Sequence, residues 1–201
     1  MTSLLPHPRV KEPETLLDYE ILMFLEAART SGIRDYTMIS FCLATGLRCS
    51  ELVNLTIECI RAYEAVTCVL MLPGTIAKGG NSRDIPIKPD LRIDLEFFLS
   101  WKETNNEPLE LSDPLFVSKY THNKLNPRDF QRIVKKLSLK SINRAIHPHI
   151  LRHTFATRLL AVSNLRIVQK VLGHKNIQTT QIYTHISNEQ LKAIKNPLDE
   201  L

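Results

Sequence analysis

Apolar side chains recur with helical spacing along most of this 201-residue chain, and a single segment interrupts that pattern. Leu17, Ile21 and Leu25 share one helical face, and a second apolar run from Tyr36 to Ala44 stops at Thr45-Gly46. Further helices are predicted at residues 47–55, 90–103, 127–138, 150–162, 164–172 and 177–187. A periodicity of this kind predicts a mainly helical protein.

The interrupting segment has the composition of β-strands. Residues 65–72 are rich in Val, Thr and Cys, a Gly-rich turn occupies residues 78–81, and a second short apolar run covers residues 84–87. Phe116-Val117 is a candidate for one more short strand. The predicted fold class is therefore mainly α with a small antiparallel β-sheet (α+β).

The length of 201 residues favours one domain with a substantial core. Residues 1–14 contain three prolines among scattered basic groups, which is typical of a leader or linker. We expect the folded domain at residues 15–188 and a polar tail at residues 189–201.

Charge and cysteine content restrict the class of protein only loosely. The net charge of +5 favours a polyanionic partner, although many proteins with this charge bind nothing acidic. Four cysteines without CxxC or zinc-type spacing, namely Cys42, Cys49, Cys59 and Cys68, are interpreted as small buried side chains in a reduced, cytoplasmic protein. No apolar run approaches the ~20 residues that cross a bilayer, so we expect no membrane association.

Two arginines occupy positions that belong to apolar helical faces. Counting from Arg48, Leu52 and Leu55 lie at i+4 and i+7, and Arg152 shares a face with Phe155 and other apolar residues. A guanidinium that points inward has to be paired, because an uncompensated buried charge costs several kcal/mol.

The two arginines differ in the partners that the sequence offers. Glu51, at i+3 from Arg48, can hold that guanidinium in a fixed orientation. No carboxylate lies at helical spacing from Arg152, which leaves open a structural ion pair with a carboxylate distant in sequence. Two such arginines together favour convergence on an external oxyanion, since a guanidinium matches phosphate oxygens well.

Histidines accompany Arg152. His149 lies three residues before it, where an imidazole can exchange a proton with whatever the arginine binds. The set His147, His149 and His153 also suggests a metal site, but no nearby Cys, Asp or Glu completes a tetrahedral set, so His153 is interpreted as structural and no metal is expected.

Three further residues look ordinary when they are considered alone. Leu172-Gly173 is typical of a helix end with a left-handed glycine, and His174 follows it directly. Tyr183 lies on a short predicted helix and would be a tyrosine at the rim of the core. Lys78, in the Gly-rich turn, would be a solvated lysine.

In combination and order, these residues resemble the catalytic domain of the tyrosine recombinases, the phage integrase and Xer-like group. The resemblance extends from about Leu16 to Ser187. It is carried by Ala44-Thr-Gly-Leu-Arg48 with Glu51, Lys78 in the hairpin, His149-Ile-Leu-Arg152-His153, Leu172-Gly-His174 and Thr180-Gln-Ile-Tyr183.

The resemblance implies the tyrosine recombinase catalytic-domain fold and a complete catalytic set. Its members are Arg48, Lys78, His149, Arg152, His174 and the nucleophile Tyr183, with Glu51 at a supporting position. The implied activity is that of a site-specific DNA recombinase or integrase, which cleaves and rejoins strands through a 3′-phosphotyrosyl intermediate during integration, excision or resolution. No cofactor and no metal are implied.

The implied partners are double-stranded DNA and three further copies of the chain, as a homo-tetramer in synapsis and a monomer in solution. Leu191, Ile194 and Leu198 of the tail are expected to dock on a neighbouring protomer, and a frayed terminus is the alternative. Most members carry an additional N-terminal DNA-gripping domain, so the chain is either a fragment or a short member. Strand relaxation of the type IB topoisomerase kind and a non-catalytic DNA-binding regulator are the alternative functions.

Overall fold

Residues 14–173 are those that the computed structural model describes, and within them the chain forms seven α-helices and four short β-strands. The helices are α1 (Asp18–Ser31), α2 (Ile33–Thr45), α3 (Cys49–Asn54), α4 (Pro89–Thr104), α5 (Pro127–Ile142), α6 (Pro148–Val162) and α7 (Leu165–Leu172). The strands are β1 (Arg61–Ala62), β2 (Ala65–Val66), β3 (Val69–Leu72) and β4 (Arg83–Pro86). The predicted fold class is confirmed.

Helix α2 lies at the centre of the core. It packs against α1, α4 and α6, and Met38, Ile39, Phe41 and Cys42 have no exposed surface. An aromatic cluster extends this core, because the ring of Phe41 packs edge-on against Phe116 with 6.5 Å between centroids. Because α2 is covered by other helices on several sides, apolar residues occupy most positions of the segment 36–44.

Helix α7 is joined to the rest through a smaller apolar cluster. Val168 and Leu172 of α7 pack on Ala156 of α6, and all three side chains are fully buried. The same helix also contacts β4. These contacts place the end of α7 beside the hairpin that β4 closes.

The ends of the helices follow local signals in the sequence. Asn126 caps α5 by accepting a hydrogen bond from the Asp129 amide at 3.0 Å, and Pro127 occupies the first turn. Helix α5 continues four residues beyond the predicted end at 138 because the first residue that stops it is Asn143, at φ +50°. Helix α6 begins at Pro148, two residues before the prediction, since proline suits a first turn.

The predicted sheet is divided into two separate antiparallel hairpins. One pairs β1 with β2, and the other pairs β3 with β4 in a register that sets Val69 opposite Pro86 and Leu72 opposite Arg83. The run at residues 65–72 is broken at Thr67, whose amide and hydroxyl both turn towards the carbonyl of Ile60, at 2.8 and 3.1 Å. At that point the hydroxyl competes with the regular backbone hydrogen bonds between strands.

Two smaller predictions are decided by the structure. Val117 forms only an isolated bridge with Lys124 and does not begin a strand. All four cysteines are free thiols. The interpretation as buried side chains is confirmed for Cys42 and Cys59, whereas Cys49 is only half-buried, and it is wrong for Cys68, which is exposed.

Some predictions fall on residues that are not described. Residues 1–13 of the leader, the helix predicted at residues 177–187 and the tail with Leu191, Ile194 and Leu198 lie outside residues 14–173. The limits of the domain therefore stay a prediction.

Candidate active site

Arg48 stands at the start of α3, in the turn that leaves α2. Its Nη1 lies 3.0 Å from Glu51 Oε1, and its own amide donates to Glu51 Oε2 at 2.9 Å. The pairing predicted from their spacing is therefore present. The Arg48 side chain keeps 17% of its surface exposed while Glu51 has none, so the carboxylate holds the guanidinium from the protein side.

Arg152 lies in α6 and is 3% exposed. Its Nη1 donates to the carbonyl of Gly46 at 2.6 Å, and its Nη2 donates to the carbonyl of Leu172 at 2.8 Å. These carbonyls are at the ends of α2 and α7, where a helix leaves its last acceptors without partners. These two bonds fix the position of the guanidinium beside the ends of both helices.

Gly46 links the two arginines. It adopts a left-handed conformation at φ +65°, ends α2 and lies two residues before Arg48. A Cβ at this position would meet Phe155 Cδ1 of α6 at 2.3 Å. Glycine is needed here both for the conformation and for the close approach of α6, which brings Arg152 beside the turn that carries Arg48.

His149 lies one helical turn before Arg152. Its pKa is lowered from 6.5, first by partial removal from water and then by the charges of Arg152, Arg48 and Lys78, in that order. Three cations from α6, α3 and the β3–β4 hairpin therefore act on one imidazole. The neutral, proton-accepting form of His149 is favoured at neutral pH.

Lys78 lies in the connection between β3 and β4. Its amide donates to Glu51 Oε1 at 3.3 Å, so the backbone of the hairpin is tied to the carboxylate that holds Arg48. The residue itself is exposed, in agreement with a side chain that can reach a bound molecule.

Sequence reasoning missed Arg83, the first residue of β4. Its Nη2 and Nη1 donate to Glu51 Oε2 and Oε1 at 2.8 and 3.1 Å, and its Nε donates to the carbonyl of Val171 at 2.8 Å. A signal was present, because Arg83 heads the alternating buried positions Ile85 and Ile87. An arginine on the apolar side of a strand is the same anomaly that singled out Arg48 and Arg152.

Glu51 is ionised under all ordinary conditions. Burial alone would raise its pKa, but hydrogen bonds from Arg83 and from the Arg48 backbone, with the charges of both arginines, lower it from 4.5 to about 2. A carboxylate of this kind supplies fixed negative charge to the surrounding cations.

His174 and Tyr183 of the predicted catalytic set lie outside residues 14–173. The structure does describe the residue before His174, since Gly173 ends α7 at φ +64° as predicted. It brings together the other four predicted catalytic positions and Glu51.

The histidines near Arg152 do not form a larger ligand group in the described region. Among residues 14–173 there is no group of three or more His, Cys, Asp or Glu side chains placed to hold a metal ion. The rings of His149 and His153 lie 6.5 Å apart between centroids.

No helix within residues 14–173 is both long enough and apolar enough to cross a bilayer.

Comparison with known proteins identifies what this arrangement is similar to. A tyrosine recombinase of Pseudothermotoga lettingae is 37% identical over 198 residues, which are 97% of this chain and 64% of that protein. The crystal structure of XerA recombinase matches with a TM-score of 0.75 and 30% identity, over 94% of this chain and 65% of the XerA chain. A post-cleavage complex of XerH site-specific recombinase with its palindromic difH substrate matches with a TM-score of 0.73 and 25% identity, over 91% and 52%.

The chain thus spans 64% of the length of the Pseudothermotoga lettingae recombinase. The model of the phage integrase family matches residues 14–190, which include every predicted site residue. On this evidence the chain belongs to the phage integrase family.

Proposed function

We propose that this chain is the catalytic part of a site-specific tyrosine recombinase, which cleaves and rejoins DNA strands through a 3′-phosphotyrosyl intermediate. The observation that carries the proposal is that Arg48 and Arg152 are held beside the same turn after α2, with His149 one helical turn before Arg152 and the Lys78 amide bonded to the carboxylate that holds Arg48. Three cations around one neutral imidazole suit an anionic substrate from which a proton has to be moved.

The first half of the proposed reaction is an attack by Tyr183 on a backbone phosphate. The phenolic oxygen forms a bond to phosphorus, its proton passes to His149, and the bond from phosphorus to the 5′ oxygen breaks. Lys78 donates a proton to the departing 5′ oxygen. Attack by a free 5′ hydroxyl on the phosphotyrosyl bond reverses these steps and joins the new strand.

The arginines stabilise the charge that grows on the non-bridging oxygens as the phosphate is attacked. Arg48 is held by Glu51 of α3, and Arg152 is held by the Gly46 carbonyl in the turn that carries Arg48. Their donors are therefore held in place before the substrate arrives, which is what makes such groups effective. His174, the residue after the described end of α7, is assigned the same task.

One phosphate ester replaces another in this scheme, so rejoining requires no ATP. The cations of the protein perform the task that a metal ion performs in other phosphoryl transfers. We therefore expect adduct formation to proceed unchanged in excess EDTA, and its loss would contradict a metal-free mechanism.

The proposed partner is double-stranded DNA. We further propose that four copies of the chain assemble in the synaptic complex, that the chain is a monomer in solution, and that it acts in the cytoplasm. A groove between the hairpin and α7 carries Arg166 and Lys170, which suits a phosphate backbone. If the chain acts without an N-terminal gripping domain, it neutralises fewer phosphates. Its DNA affinity is then weak and falls steeply with salt.

A nicked suicide duplex tests the proposal directly. Cleavage of such a duplex releases a short oligonucleotide, so the covalent adduct accumulates and is seen as a shifted band in a denaturing gel. We expect the wild-type chain to form the adduct and Tyr183→Phe to form none.

Tyr120→Phe is the matched control, because this tyrosine is 87% exposed and has no part in the proposed site. Equal gel patterns for the wild type and Tyr183→Phe, without adduct, would support a non-catalytic DNA-binding regulator. Relaxation of supercoiled plasmid that lacks any specific site, without strand exchange, would support topoisomerase-like activity.

A further inference from the structure

Arg83 uses all three of its side-chain nitrogens inside the protein. Two donate to Glu51 and the third donates to the carbonyl of Val171 at the end of α7. The side chain is only 7% exposed. Because these three bonds commit the guanidinium to protein acceptors, we expect its effect on a reaction to pass mainly through its partners.

We infer that Arg83 is a positioning residue that fastens three separate parts of the active site into one unit. The parts are the hairpin connection that carries Lys78, the start of α3 with Arg48, and the end of α7 that leads into His174. This inference rests on the proposed function for its effect on catalysis, whereas its effect on the order of these segments does not.

Glu51 is the junction through which Arg83 reaches two of these parts. Its two oxygens accept five hydrogen bonds, from the amides of Arg48 and Lys78 and from the guanidiniums of Arg48 and Arg83. These donors favour the ionised form of a carboxylate that has no exposed surface. Arg83 alone among these donors also bonds to α7.

The end of α7 is held by two arginines in succession. Val171 and Leu172 have consecutive carbonyls, which accept from Arg83 Nε and Arg152 Nη2, both at 2.8 Å. The last carbonyls of a helix lack partners and carry partial negative charge, so a guanidinium suits them on both counts. Gly173 completes the fit, since a Cβ there would lie 3.0 Å from Arg83 Nη1.

The planar fork of arginine is what allows this bridge. Its Nε and its two Nη atoms point in different directions in one plane, which permits contact with Glu51 and with Val171 together. A lysine has one nitrogen on a flexible stem and cannot satisfy both. Arg83→Lys therefore retains the positive charge and loses the link between the hairpin and α7.

Two measurements test the inference on the full chain. Hydrogen–deuterium exchange without DNA is expected to speed up at residues 73–82 and 168–173 in Arg83→Lys, and to stay unchanged in α4. Single-turnover adduct formation is expected to slow by about 100-fold at saturating DNA, because displacements of about 1 Å have effects of this order. DNA affinity is expected to stay within about 2-fold, because the lysine keeps the positive charge at this nearly buried position.

A double-mutant cycle shows whether Arg83 acts through Glu51. The rate of adduct formation in the double variant Arg83→Lys/Glu51→Gln is expected to fall by the same factor as in the slower single variant. It is not expected to fall by the product of the two single-variant factors. Arg132→Lys is the control for the loss of an arginine fork, since Arg132 is 79% exposed on α5. If Arg83→Lys does not fold, Arg83→Gln/Glu51→Gln removes the buried carboxylate together with the guanidinium, and exchange at residues 73–82 is measured there.

Wild-type exchange at residues 73–82 and wild-type rates in Arg83→Lys would overturn the inference, as would strictly multiplicative effects in the cycle. The proposed function fails separately, when the wild type itself forms no adduct. In that case, faster exchange in the two segments would still establish Arg83 as the fastening residue.

Discussion

Replacement of Glu51 by glutamine removes the negative charge on which the described part of the site is assembled. The side chain keeps its size, so no cavity is created, and the change resembles protonation of the carboxylate. Arg48 and Arg83, which both contact Glu51 within 3.1 Å, are then left as neighbouring cations in a buried place. We expect Glu51→Gln to destabilise the fold and to impair cleavage.

The pKa of Glu51 sets the magnitude. Its fall from 4.5 to about 2 on folding, at about 1.4 kcal/mol per pH unit, corresponds to about 3 kcal/mol of stability at neutral pH. The same order is found when one partner of a buried ion pair is removed. Because the folded pKa is depressed, this stability is complete above pH 4.5 and declines as the pH falls towards 2.

Urea denaturation at two pH values measures this contribution. The free energy of unfolding of Glu51→Gln is expected to lie about 3 kcal/mol below that of the wild type at pH 7, and the gap is expected to narrow to about 2 kcal/mol at pH 3.5. Glu103→Gln, an exposed position in α4, makes the same change of charge and is expected to shift stability by less than about 0.5 kcal/mol.

A gap below about 1 kcal/mol at pH 7, or one of equal size at both pH values, would refute the reasoning. The first result would mean that the two arginines find other partners with little loss of folding free energy. The second would mean that the loss comes from packing and not from the charge of Glu51.

Three further predictions concern a turn and the proton transfers. Gly46→Ala is expected to lower the free energy of unfolding, measured in urea, by about 2–4 kcal/mol, because its Cβ would meet Phe155 at 2.3 Å. The control Gly32→Ala, at a positive φ in open space, is expected to lower it by about 1 kcal/mol, and equal losses in the two variants would show that the clash with Phe155 is not the cause. Because the pKa of His149 is lowered from 6.5, the acid limb of kcat/KM for adduct formation is expected below pH 6.5, and a limb above that value would exclude His149 as the base. Lys78→Ala is expected to slow cleavage about 10²–10⁴-fold. The cleavage rate of this variant is expected to recover on a duplex with a bridging 5′ sulfur, because the thiolate leaves without a proton, and an equal deficit on both duplexes would exclude Lys78 as the acid.

Most of the helices could be predicted from local sequence. Apolar periodicity located α4, α6 and α7 within about two residues of their observed ends, and Gly46 and Gly173 stop their helices as expected. Strands were harder, because whether a run such as residues 65–72 forms one strand or two depends on partners from elsewhere. The turn of Thr67 towards Ile60 divides that run, and no local pattern announces it.

The site shows the same division between local and distant contacts. The pairing of Arg48 with Glu51 spans three residues and follows from helical spacing alone. The bond from Arg152 to Gly46 spans 106 residues, and the bond from Arg83 to Val171 spans 88. Spacing along one element carries no information about such contacts, so the sequence could not indicate the bonds from Arg152 to the carbonyls of Gly46 and Leu172.

The sequence by itself determined which residue types are available and which of them stand on faces where a charge is out of place. That much follows from the periods of helices and strands, which are properties of the local backbone. Only the tertiary structure decided that α3, α6, α7 and the β3–β4 hairpin meet at one carboxylate and one turn, with Arg83 between them. Burial is the physical reason, because a guanidinium removed from water has to find its acceptors wherever the packed helices leave carbonyls and carboxylates within reach.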